Sequence, residues 1–272
     1  MERKVSEERG TEARNERARG LESFTTRQIL ELMNEEDATV PSAVREALPA
    51  IEKAVDAIVD AIAAGGHVIY VGAGTSGRLG VLDASEAPPT FGVEPDLFHG
   101  IVAGGDAALR SSIEGAEDDG SAGGRDVARV LRPNDVVVGI SASGHAPYVL
   151  GGLKAGAGGA SATIAITCDP VSPLARAARI PIVVDVGPEV LAGSSRLKAG
   201  TATKLVLNML STAAMIRSGR TRGDLMIDLR PTNAKLRARA IRIVQEETGI
   251  EESEARARLE RAGWSVRRAL ER

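Results

Sequence analysis

Five short apolar runs, each rich in β-branched residues and separated by segments of helical length, decide what this chain can fold into. They lie at 67–72, 98–103, 135–141, 162–168 and 180–186. A strand that is apolar at nearly every position has to be covered on both faces. Strands that alternate with helices join in parallel. The expected fold is therefore α/β, a three-layer sandwich with a parallel five-stranded sheet of flavodoxin-like or similar topology. Ligands on such sheets bind beyond the carboxyl ends of the strands.

Helical segments surround these runs. Thr25 and Thr26 are placed to cap a helix over 27–34. Pro41 suits the first position of a second helix, expected to run on to 64, where Gly65 and Gly66 end it. Val44, Leu48, Ile51, Val55, Ile58, Val59 and Ile62 recur at the i, i+3, i+4 spacing of one helix face. A long helix over 198–218, apolar at 205–215, reads equally as a core element or a dimer face. Residues 231–272 predict three short amphipathic helices, at 231–248, 251–262 and 264–271, with Gly249 and Gly263 as stops. The chain thus divides into an arm and helix (1–40), a main α/β domain (41–230) and a small helical domain (231–272).

Composition removes several function classes. With 43% apolar and 26% charged residues the chain can bury a core. A net charge of −3 and only 2% aromatics argue against a nucleic-acid partner. The single cysteine, Cys168, excludes a disulfide framework and a multi-cysteine zinc site, and fits a reducing cytosol. Residues 1–20 read as a solvated charged arm without the apolar core of a signal peptide. No uncharged apolar run is long enough to span a membrane.

Three strand ends lead into turns rich in glycine and hydroxyls. These are 72–78 (Gly-Ala-Gly-Thr-Ser-Gly-Arg), 141–145 (Ser-Ala-Ser-Gly-His) and 193–201 (Gly-Ser-Ser-Arg-Leu-Lys-Ala-Gly-Thr). Singly, such turns are caps. Three at the same edge of one sheet, each opening a helix, point to a phosphate-bearing ligand. The first also spells G-x-G-x-x-G, the dinucleotide fingerprint. That fingerprint needs an acidic residue at the end of the next strand, whereas Glu94 and Asp96 precede it. No Gly-Lys-Ser/Thr closes a P-loop. Ser143 and His145 lack the G-x-S-x-G elbow of a serine hydrolase. His67 and His99 fall at or in strands and read as structural.

A bound phosphosugar invites proton-transfer chemistry, which needs carboxylates near the strand ends. The candidates are Glu86 in 83–86 (Asp-Ala-Ser-Glu), Glu117 in 114–119 (Glu-Gly-Ala-Glu-Asp-Asp), and Glu189 before the third loop. Glu86, followed by Ala87, Pro88 and Pro89, is expected to sit partly buried at a rigid turn, where burial would raise its pKa. Glu117 and its neighbours also read as a plain acidic turn.

Longer stretches then carry a resemblance across nearly the whole chain: 11–15 (Thr-Glu-Ala-Arg-Asn), 34–37 (Asn-Glu-Glu-Asp), 70–92, 113–118 and 193–212. In these the sequence resembles the N-acetylmuramic acid 6-phosphate etherases, members of the sugar-isomerase (SIS) domain superfamily and relatives of the glucokinase regulatory protein. The resemblance implies a SIS sandwich, usually a homodimer, with a small C-terminal helical domain and neither metal nor organic cofactor. It implies a cytoplasmic lyase that cleaves the lactyl ether of N-acetylmuramic acid 6-phosphate to N-acetylglucosamine 6-phosphate and D-lactate. Glu86 would be the acid that helps lactate leave and Glu117 the second acid–base group. Gly74, Thr75, Ser76, Gly77, Ser141, Ser143, Gly144, Glu189, Ser194, Ser195 and Lys198 would hold phosphate and sugar. A sugar-phosphate sensor without catalysis, or an aldose–ketose isomerase using Glu189 as base, shares the same loops. The chain departs from the family pattern in reading Ser143-Gly-His145-Ala146-Pro-Tyr148 where S-G-R-T-P-Y is usual, and in carrying Ala87 where a cysteine is usual. Its helical tail is expected to be shorter than the family's.

Overall fold

A computed structural model describes residues 10–271; the first nine residues of the charged arm lie outside it. The described part of the arm forms three single 3₁₀ turns, ending at Ser23. Three helices follow, α1 (Thr26–Asp37), α2 (Val40–Glu46) and α3 (Leu48–Ala63). Thr25 caps α1 through a reciprocal capping box with Gln28. The helix expected over 41–64 is in fact two, broken at Ala47. Pro49 has no N–H for the carbonyl four residues back, and its ring crowds that carbonyl, so it sits in the first turn of a new helix instead.

The five expected strands are all present: β1 (Val68–Gly72), β2 (Phe98–Val102), β3 (Val136–Ile140), β4 (Ala162–Thr167) and β5 (Ile180–Val183). They pair in parallel in the order β2-β1-β3-β4-β5. Between and after them run α4 (Gly74–Phe91), α5 (Gly120–Val130), α6 (Pro147–Ala157), α7 (Pro173–Ala177) and α8 (Lys198–Arg217). Alternation along each strand separates two cores. Val68, Tyr70, Val136, Val138, Ile164 and Ile166 face α2, α3, α4 and α8. Ile69, Val71, Val137 and Ala165 face α5, α6 and α7. A third core belongs to α9 (Ala234–Thr248), α10 (Glu252–Arg261) and α11 (Val266–Leu270), and draws in Ile227 and Leu229 from the segment before them. Gly249 and Gly263, at φ of 70° and 62°, provide the left-handed stops.

The close seating of α4 on the sheet depends on Gly77. A Cβ there would lie 2.7 Å from both the Gly72 carbonyl oxygen and Val102 Cγ2. That contact brings the first turn of α4 up to the end of β1.

Candidate functional site

In the order β2-β1-β3 the chain leaves β1 in one direction and later returns on its other side, so β1 and β3 flank the switch point of the sheet. A cavity of about 280 Å³ opens there, beyond their carboxyl ends. Ser76 from the first loop, Ser141 and Ser143 from the second and Ser195 from the third all line it. Glu117, Asp118 and His145 complete its polar wall. Two helices begin at its edge, α4 after Ala73 and α6 after Ala146, and neither N-terminus receives a side-chain cap. The positive ends of both dipoles adjoin a cavity ringed by hydroxyls, an arrangement suited to a phosphate. Ser76 in the first turn of α4 lines it, whereas α6 opens with Pro147, which has no N–H to offer.

The local reasons differ from loop to loop. Gly144, at φ 68°, makes a tight turn in which its N–H meets the Ser141 carbonyl at 3.0 Å and Ser141 Oγ at 3.1 Å. A Cβ on Gly144 would fall 2.4 Å from Ser172, so this turn fits only glycine. Arg78 reaches from α4 to the Ala108 carbonyl at 2.9 Å and thereby ties down the long segment that carries Glu117. His145 is exposed, and its Nδ1 lies 2.7 Å from the Ser143 carbonyl oxygen.

Other expected site residues stand elsewhere. Gly74 lines a smaller neighbouring hollow of about 110 Å³ that shares Ala73 and Glu117 with the main cavity. Thr75, Gly77, Gly144 and Ser194 shape the loops without lining the cavity. Glu189 is fully buried and accepts the backbone N–H groups of Lys198 and Ala199, each at 3.0 Å. It thus supplies the anion at the start of α8, and the third loop reaches the cavity through Ser195 alone. Lys198 is buried as well, its Nζ 2.6 Å from Glu36 Oε2.

Glu86 departs most from expectation. The helix does not turn at Pro88 and Pro89; it continues through them and ends at Gly92, at φ 63°. Glu86 therefore lies within α4, and its side chain is 62% exposed rather than partly buried at a turn. Twelve residues along α4 from Gly74, it stands about 18 Å down the helix axis from the cavity edge, at 1.5 Å per residue. Within one chain Glu86 and Glu117 do not share the cavity. Glu86 instead adjoins a polar cluster: Lys204 Nζ lies 3.5 Å from Glu86 and 4.0 Å from Asp83. Buried Asp83 accepts the Tyr70 hydroxyl at 3.0 Å and the Ser211 hydroxyl at 3.1 Å. Its burial raises its pKa, against the opposing pull of those hydrogen bonds and of Lys204. The single hint of this cluster in the sequence was the acidic pair Asp83 and Glu86 on one helix face. Asp118 and His145 were the cavity residues least legible beforehand.

The family model described as "SIS domain" matches residues 119–213, and "Glucokinase regulatory protein N-terminal SIS domain" matches 50–157. Among solved structures, a phosphoheptose isomerase from Francisella tularensis superposes with a TM-score of 0.54 at 20% identity, covering 71% of this chain and 100% of that one. A phosphoheptose isomerase from Neisseria gonorrhoeae gives a TM-score of 0.53 at 16% identity, covering 70% and 98%. Fold and matches together define a SIS-domain protein. Among curated relatives, the N-acetylmuramic acid 6-phosphate etherase of Serratia proteamaculans is 51% identical over 261 residues, 96% of this chain and 88% of that protein. The etherase of Symbiobacterium thermophilum is 50% identical over 260 residues, 96% and 87%. The chain belongs to the N-acetylmuramic acid 6-phosphate etherase family.

Proposed function

We propose that the cavity beyond β1 and β3 binds N-acetylmuramic acid 6-phosphate and that the chain is a carbon–oxygen lyase releasing D-lactate from it. The observation that carries this reading is the convergence, in one cavity, of four serines, two uncapped helix N-termini and the carboxylate Glu117. The hydroxyls and amides suit the 6-phosphate. In the open-chain sugar the C2 proton is acidified by the adjacent aldehyde, and a carboxylate removes it. The C3–O bond then breaks, lactate leaves with a proton from an acid, and water adds at C3 of the unsaturated aldehyde. Each acid–base group contributes on the order of 10²–10⁴-fold. The bound phosphate supplies remote binding energy that orients the reacting carbons. The single thiol takes no part, because burial, with the charges of Glu189 and Asp185, pushes Cys168 up to about 12. We assign the chain to the cytosol.

Glu86 can join Glu117 only if a second copy brings it. We propose a homodimer in which Glu86 of one chain completes the cavity of the other. Exposed Leu82 beside Glu86, and an apolar groove between α3 and α8 flanked by exposed Leu48 and Met209, support an unpartnered face on that side of the sheet. Among the described residues no helix is long and apolar enough to cross a membrane. The isomerase alternative needs Glu189 as a base, and both oxygens of Glu189 already hold the start of α8.

The test is turnover of N-acetylmuramic acid 6-phosphate in heavy-oxygen, deuterated water. Lactate should appear without label, and the product sugar should carry oxygen label at C3 and deuterium at C2. Label in lactate, or no lactate at all, would sink the reading.

A further inference from the structure

A second cavity, of about 390 Å³, lies between the main sheet unit and the C-terminal helices, far in the fold from the serine loops. It is larger than the candidate active site. Arg220, Arg230 and Arg237 line it, together with Trp264 and Pro231, and Asp228 is its one lining carboxylate among the described residues. That carboxylate is already engaged from outside the cavity: Arg267 holds both its oxygens at 2.7 Å, and Arg220 stands further off at 3.8 Å. Arg230 pairs with Glu94 at 3.0 Å and donates to the Gly92 carbonyl at 3.2 Å. Arg237 has no carboxylate partner among the described residues, and lies 5.0 Å from the Trp264 ring centre, over its face. Among the described residues these four guanidiniums pair directly with two carboxylates, Asp228 and Glu94. With Arg268 beside Gly263 and the charge of Glu271 near Arg267, the surroundings still hold a surplus of positive charge, in a chain whose net charge is −3. Trp264 is held at φ 61°, a left-handed conformation rare for a bulky residue, and there its indole forms part of the cavity wall.

We infer that this cleft is a second anion site, for a small phosphate-bearing molecule of sugar-phosphate size. Guanidiniums suit the several oxygens of a phosphomonoester, which they bind in forked pairs. The indole and Pro231 offer a flat apolar wall for the carbon skeleton. The site touches α4, the helix that carries Glu86, at its C-terminal Gly92, so an occupant rests against the end of a helix belonging to the proposed catalytic machinery.

Trp264 is the only tryptophan of the chain, so its emission reports on this cleft alone. Titration of the full chain with inorganic phosphate and with ribose 5-phosphate should change that emission saturably, with half-saturation at about 10 mM or below. Ribose should have no effect. Arg220→Gln should weaken both titrations by about ten-fold, and Arg220→Lys by less. Circular dichroism of both variants checks that they fold. Glu117→Gln should leave the titrations unchanged. The proposal falls if phosphate has no effect, if potassium chloride of equal ionic strength reproduces the change, or if Arg220→Gln titrates like the parent. It falls equally if Glu117→Gln abolishes the signal, which would trace it to the other cavity.

Discussion

Lys198 and Glu36, 162 residues apart in the chain, meet at 2.6 Å with both side chains buried. Glu36 also receives Arg17 at 3.1 Å. This one carboxylate therefore joins the N-terminal arm, α1 and the first residue of α8. The arm continues over the third loop, where the Glu12 carboxylate covers Gly193. Lys198→Met leaves Glu36 beside a buried apolar neighbour with only the half-exposed Arg17 to pair it, and is expected to cost about 1–3 kcal/mol in urea unfolding. Adding Glu36→Leu should recover most of that. If Lys198 acts only through the pair, the double variant should also recover KM. A KM that stays high while stability returns would mean that the ammonium contacts substrate.

Two buried carboxylates give opposite responses to pH. Burial alone would raise Glu36, but the hydrogen bond from Lys198 and the nearby charges of Lys198 and Arg17 outweigh it and hold the group low. Its stabilisation is complete above the ordinary glutamate value of about 4.3 and is lost as pH falls through the depressed folded value. Burial raises Asp83. Between the ordinary aspartate value of about 3.9 and its raised folded value the native state holds more protons than the unfolded chain, so stability falls as pH rises. Urea midpoints measured from pH 3 to pH 7 should show the advantage of the parent over Glu36→Gln shrinking toward acid. Relative to Asp83→Asn, the parent should lose ground as pH rises. Curves that run parallel throughout would remove the assigned shifts.

Much of this architecture was legible because continuous β-branched runs admit few alternatives to a buried parallel strand. The serine loops were legible as well, and Ser76, Ser141, Ser143 and Ser195 do meet in one cavity. Glu86 was misread because two prolines usually signal a turn. In α4 they fall inside the helix, within its last four residues, and the backbone carries on through them until Gly92 closes it. Pro49 acted the other way and split a helix whose apolar spacing ran straight through it. No local pattern revealed that Glu189 returns to the start of α8. The arginine cleft joins residues from Gly92 to Ser265 and exists only once the third core has formed.

Gly77→Ala tests how the anion cavity is held open. The added methyl group has the Gly72 carbonyl on one side and Val102 on the other, both at 2.7 Å, and neither can move without shifting a strand. The substitution should destabilise the fold by about 1–3 kcal/mol. It should also displace the first turn of α4, weakening substrate binding more than turnover. A thermal melt and a KM–kcat comparison check both; unchanged values in each would show that α4 has slack at this point.

The separation of Glu86 from the cavity within one chain makes the sharpest prediction. Glu86→Gln and Glu117→Gln should each be nearly inactive alone, losing about 10²–10⁴-fold in turnover. If each active site takes Glu117 from one protomer and Glu86 from its partner, mixing the two variants restores function. A mixed dimer then has one site with both glutamates and one with neither. Random exchange makes about half the dimers mixed, so about a quarter of the parent activity should return. The measurement is lactate release after unfolding and refolding the two variants together, against each refolded alone. If both glutamates served a cavity within their own chain, every mixed dimer would hold two damaged sites and mixing would restore nothing. No recovery, in a sample that sedimentation identifies as dimeric, would therefore rule out the shared site. Glu86 would then remain a surface residue paired with Lys204, and Glu117 would be the only carboxylate of the two left at the sugar.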